Sequence, residues 1–133
     1  MLLEQSHNLQ SKPDEVKMIV EIGNIKYVDK QKLYIAVDRK SEYLSDKPFQ
    51  YTISTPTNNS VSVEFYLPKG AYAVSVYQDL NDNAKLDKNF FGAPTEPFAF
   101  SRNYKPTVRS PRFDEVKIEM SSDRKIGITM ILP

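Results

Sequence analysis

The sequence predicts an all-β fold, a single antiparallel β-sandwich with one long irregular loop insertion, and three observations predict it. Apolar residues recur with period two along several short runs. Turn-forming residues separate those runs. No run of the roughly twelve residues a helix needs carries an i, i+3, i+4 apolar stripe free of proline or of β-alternation.

The elements follow in order. Residues 1–13 are polar and aperiodic and read as a loosely attached tail, leaving 14–133 as the domain. Val16, Met18, Val20 and Ile22 alternate with Lys17, Ile19 and Glu21. Leu33, Ile35 and Val37 repeat the pattern, as do Val61, Val63, Phe65 and Leu67 against Ser62, Glu64 and Tyr66. Tyr72, Val74 and Val76 form the next set, then Val116, Ile118 and Met120, and last Ile126, Ile128, Met130 and Leu132. Successive side chains of a strand point to opposite faces, so each run has one apolar face. "VDKQ", "SDKP", "TPTNNS", "LPKG" and "SSDRK" supply the turns. One-faced strands bury those faces by pairing two sheets. The stretch from about 79 to 111 is too long for a hairpin turn, and insertions of that length usually carry function or structure of their own.

Bulk properties narrow the function classes. A chain of 133 residues is one domain, and its net charge of +1 gives no basic bias toward nucleic acid. The absence of cysteine removes disulfides, thiolate metal sites and cysteine nucleophiles. No apolar run reaches the ~18 residues of a membrane span, so no membrane insertion is expected. The opening "MLLEQSHNLQSKPDE" is not an intact signal peptide, and the expectation is a secreted or periplasmic chain whose signal has been removed. His7, the one histidine, falls in the tail, and no serine has the G-x-S-x-G context of a nucleophile elbow. No enzyme is expected.

The loop "DLNDNAKLD" carries the chemistry. Asp79, Asn81 and Asn83 occupy positions one, three and five of a D-x-[DN]-x-[DN] calcium loop. Lys85 falls at position seven, where a backbone carbonyl binds, and Asp87 at position nine. Calcium takes six to eight oxygens at about 2.3–2.6 Å, and alternate inward-turning residues supply them. Two positions depart from the pattern. Ala84 stands where glycine makes the sharp turn, and Phe90 where a bidentate glutamate closes the site. Asp87 shifting inward, or Glu96, would have to supply the missing carboxylate. So few acids imply weak affinity, roughly 10⁻⁴–10⁻³ M. The alternative is a polar turn in which Asn and Asp cap their own backbone.

The segment "GAYAVSVYQDLNDNAKLDKNFFGAPTEPFAFSRN", from Gly70 to Asn103, resembles the signature of a bacterial family of exported proteins, domain of unknown function 2141. There a G-x-Y strand leads into D-x-N-x-N-g-k-L-D and then N-f-f-G-x-P-x-E-x-f-x-F-S-x-N. The downstream "SPRFDEVKIEM" is similar to the segment that follows in the family. The resemblance implies a secreted or periplasmic domain with a transthyretin-like or immunoglobulin-like sandwich, and no established activity. Ala84 replaces the family's usual glycine.

Other constellations have plainer readings. Phe90, Phe91, Phe98 and Phe100 read mainly as plugs pinning the insertion to the sandwich. Glu96 reads as an anchor for Arg102 or as the closing metal ligand. Arg102, Lys105, Arg109 and Arg112 around Tyr104 read as a solvated surface. The leading expectation is a non-catalytic exported module, structural or adhesive, with a weak calcium loop of Asp79, Asn81, Asn83, Lys85 and Asp87. Its partner would be an envelope or extracellular protein or glycan. The alternative is a small-molecule or glycan-binding domain using the aromatic loop 90–104, with Tyr77, Phe91, Glu96, Phe98 and Tyr104 about its pocket.

Overall fold

The computed structural model describes residues 14–85 and 94–133, which build two packed sheets. The strands are β1 (Glu15–Gly23), β2 (Lys32–Asp38), β3 (Gln50–Ser54), β4 (Val61–Pro68), β5 (Gly70–Asp79), β6 (Phe98–Phe100), β7 (Ile118–Met120) and β8 (Arg124–Thr129). A 3₁₀ turn at Ser101–Asn103 and a one-turn helix α1 (Phe113–Val116) lie between β6 and β7.

One sheet has the order β4-β1-β8, the other β3-β2-β5-β6, with β7 also pairing β5. The expected alternation holds where both sheets face inward. Met18, Val20, Leu33, Ile35, Val37, Leu67 and Val74 are fully buried, and Val76, Ile126 and Ile128 join them in the inter-sheet core. Register follows burial: Val20 stands opposite Val63 on one side and Ile126 on the other, and Ile35 opposite Val76. A slip of one residue would turn each of these sets toward water.

Three features differ from the expectation. Strand β8 runs parallel to β1, so the smaller sheet is mixed rather than wholly antiparallel. A parallel pair needs a long crossover, and here the other sheet lies between the two strands in sequence. Val116 belongs to α1, not to a strand, and it packs in a second cluster with Ala73, Phe98, Phe100 and Phe113. The insertion is also less irregular than expected, because Phe98–Phe100 adds a strand to β5 and Ser101–Asn103 a helical turn.

The second cluster covers part of the outer face of the larger sheet. Phe98 and Phe100 pack there edge to face, with centroids 6.1 Å apart, while Ala99 between them points into the inter-sheet core. These two phenylalanines pin the insertion as their plug reading requires. Ser101 fastens the arrangement: its buried hydroxyl accepts the Val74 N–H at 3.0 Å and donates to the Val116 carbonyl. Asn103 accepts the Thr129 N–H at 2.9 Å, tying the same turn to β8.

Candidate functional site

The loop after β5 begins at Asp79, which is 3% exposed. Its carboxylate accepts the Asn83 N–H at 3.2 Å and the Ala84 N–H at 2.6 Å. Asp82 and Ala84 adopt left-handed backbone, φ 59° and 60°. Position six thus makes the turn that glycine makes in a calcium loop, at the steric cost a Cβ carries there. Asn83 accepts the Lys85 N–H at 3.0 Å. Glu96, also 3% exposed, comes back from the far end of the insertion and accepts the Leu80 N–H at 2.7 Å. Two carboxylates from distant stretches therefore grip adjoining stretches of one loop. The Arg102 guanidinium donates to the Asp114 carbonyl at 3.4 Å.

Of the expected metal ligands, Asp79, Asn81, Asn83 and Lys85 lie on this turn, and Asp87 lies outside the described residues. Among the described residues no three of His, Cys, Asp and Glu gather at metal-binding spacing. A site here would therefore draw on amide and carbonyl oxygens as well.

Beside the loop, the uncovered part of the larger sheet's outer face forms an open trough of about 1290 Å³. Its floor holds Tyr34, Ala36, Ser75, Tyr77 and Tyr51. Tyr34 and Tyr77 are direct cross-strand partners and stack with centroids 4.9 Å apart and planes 4° from parallel. Burial pushes the Tyr77 hydroxyl up to about 12, and Tyr34, Asp79 and Glu96 reinforce the shift. Tyr51 is 63% exposed.

One wall of the trough comes from the stretch after Leu44, which the buried Asp38 carboxylate secures through the Phe49 N–H at 3.2 Å and the Leu44 N–H at 3.4 Å. Burial raises the Asp38 carboxyl above its ordinary value even with these two donors. Val108, Arg109, Ala84 and Lys85 also line the trough.

Tyr77 and Phe98 line this trough, whereas Tyr104 does not. Tyr104 borders a smaller depression near Asn24 and Leu132, and its hydroxyl donates to Glu115 at 2.9 Å. Glu96 is sunk in the loop, and Phe91 lies outside the described residues. Of the four cations near Tyr104, Arg109 is committed to Glu115 through a bond of 2.8 Å. Sequence reasoning passed over Tyr34 and Tyr51, whose alternation only marks them as outward-facing. It also passed over Ser101 and Asn103, although both stand in the quoted "FAFSRN".

A family model described as uncharacterised protein conserved in bacteria, DUF2141, matches residues 20–127. The chain belongs to the DUF2141 family. The match runs from β1 into β8 and so takes in the loop and the trough floor. No curated protein and no solved structure matches the chain. In this DUF2141 domain the F-S-x-N end of the signature has a structural use, since Ser101 and Asn103 bind backbone groups of β5, α1 and β8. Among the described residues no helix is long and apolar enough to cross a membrane.

Proposed function

We propose that this DUF2141 chain is a non-catalytic, exported module, structural or adhesive, whose Asp79 loop takes a calcium ion weakly. The observation that carries the reading is the pairing of the Asp79 carboxylate with the Asn83 and Ala84 amides around a left-handed Ala84. That posture suits a D-x-N-x-N loop wound for a hard cation. An ionised carboxylate offers about four lone-pair sites, so two N–H bonds leave Asp79 able to coordinate. Asn81, Asn83, the Lys85 carbonyl and Asp87 complete the proposed set, with Glu96 as a further buried carboxylate. Buried carboxylates are costly to hold ionised, and a divalent ion offsets that cost. The expected affinity, roughly 10⁻⁴–10⁻³ M, is that of extracellular modules.

The melting temperature in EDTA, compared with millimolar calcium, tests this. With a dissociation constant of ~0.1 mM, 1 mM calcium adds about 1.4 kcal/mol. That raises the midpoint by about 4–7 °C for a domain of this size. The rise should vanish in Asp79→Ala. No rise at ~10 mM calcium, ten times the weak limit of the range, would reduce the loop to a polar turn.

A second reading, a small-molecule or glycan-binding domain, is favoured by the stacked Tyr34–Tyr77 pair and exposed Tyr51 in the trough. Tyrosine offers a flat apolar face with a hydrogen-bonding tip, which suits a sugar ring. Tyrosine fluorescence titrated with neutral and acidic oligosaccharides should respond, and Tyr51→Ala should abolish the response. A flat titration with every glycan removes this reading.

A further inference from the structure

The larger sheet ends on one side at β3, which among the described residues is paired only with β2. An open strand edge is a template for another strand, and proteins usually blunt it with charge, brevity or cover. The other edges of the sandwich are blunted in these ways. Strand β4 carries exposed Glu64, β8 carries exposed Arg124 and Lys125, β6 is three buried residues bridged to Ile131, and β7 is three residues long with exposed Glu119. Strand β3, "QYTIS", has no charge, no proline and no buried residue. Its start is braced by Gln50, which donates to the Tyr66 carbonyl at 3.0 Å.

We propose that the chain forms a two-fold symmetric dimer by antiparallel pairing of β3 with β3 of a second copy, centred on Thr52. The segment is self-complementary in that register. Thr52 faces its own copy, Gln50 faces Ser54, and Tyr51 faces Ile53 in both directions. Aromatic–β-branched and Thr–Thr pairs are among the favourable cross-strand pairs, and no like charges are opposed. Tyr51 and Ile53 are 63% and 45% exposed in one copy, an apolar pair otherwise left to water. Pro48 and Pro56 lack N–H groups and lie four residues either side of Thr52, so they bound the pairing window symmetrically. Such an interface is isologous and closes at two copies. It joins the two troughs into one surface across the dyad.

Sedimentation of the full chain over a concentration series tests the proposal, with Tyr51→Lys/Ile53→Lys and Tyr51→Lys/Ile53→Glu beside the wild type. Both positions carry exposed side chains, and circular dichroism verifies that each variant is folded. The expected result is a concentration-dependent wild-type dimer. The double-lysine variant sets like charges opposite each other, and the lysine–glutamate variant sets opposite charges together. The first should therefore associate at least about tenfold more weakly than the second. Equal association of the two variants overturns the register and the edge together. A wild type that stays monomeric to about 1 mM overturns the dimer. So does protection of the β3 amides only on adding a foreign extended peptide, which would assign the edge to another chain.

Discussion

The Asp79 carboxylate holds the Ala84 amide at 2.6 Å, across a turn in which Ala84 sits at φ 60°. The carboxylate imposes a conformation that an alanine Cβ resists by about 1–2 kcal/mol. Ala84→Gly relieves that resistance and returns part of the gain through the freer unfolded chain. The expected net is a stabilisation of roughly 0.5–1 kcal/mol, read as a higher urea midpoint at unchanged slope. A lower midpoint would show that the turn is not held as described.

Glu96 provides a second test of the loop. Its bond to the Leu80 N–H, at 2.7 Å, is charge-assisted and buried. Glu96→Gln keeps the shape and removes the charge, which should cost about 1 kcal/mol. It should also shrink the calcium-induced rise in melting temperature. A stability loss with the calcium response intact would confine Glu96 to structure.

Ser101 bridges β5 and α1 with one hydroxyl. Ser101→Ala leaves the buried Val74 N–H and Val116 carbonyl without that partner. The expected loss is roughly 2–4 kcal/mol, measured by urea unfolding. A loss below about 0.5 kcal/mol, the range of ordinary surface changes, would mean that other groups take over both bonds.

Acid should break the two carboxylate pairs that flank the trough residues Leu44 and Arg109. The Arg109 guanidinium, the Arg112 N–H and the Tyr104 hydroxyl hold the Glu115 carboxyl down at about 2. Its folded value lies below the unfolded one, so its contribution is complete above about 4.5 and is lost as pH falls through about 2. Glu42, held at about 2 chiefly by Arg39, follows the same course. The urea midpoint should fall across that window, and Glu115→Gln should flatten the fall. At the alkaline end, burial raises Tyr43 to about 12, with its hydroxyl donating to the Pro111 carbonyl at 2.6 Å. Stability from Tyr43 is complete below its ordinary value near 10 and disappears as pH rises through about 12. Phenolate absorbance should show Tyr43 and Tyr77 ionising only as pH rises toward about 12, and their loss of the phenol proton near the ordinary value of 10 would contradict this.

Much of this fold is legible one strand at a time. Val16 to Ile22 and Leu33 to Val37 declare their strands because each buries one face and wets the other. Strand β3 is silent, since Gln50–Ser54 buries no side chain and so has no contrast to display. Val116 misleads for the opposite reason. It is buried in step with Ile118 and Met120, but in the outer cluster rather than between the sheets. The order Asp79, Asn81, Asn83 is readable as a loop because its spacing is local. Glu96 could be named as a candidate for that loop, but its bond to the Leu80 N–H, sixteen residues away, is decided only by the fold.

The sequence by itself determined the strands that bury one face, which face of each turns inward, and where the oxygen-bearing turn lies, because side-chain alternation and turn chemistry act between near neighbours. Only the tertiary structure decided that β8 lies parallel to β1, that Tyr34 meets Tyr77, that Ser101 joins β5 to α1, and that β3 is left at an edge. Those outcomes depend on how all the apolar faces are buried at once, and no single stretch of chain contains that condition.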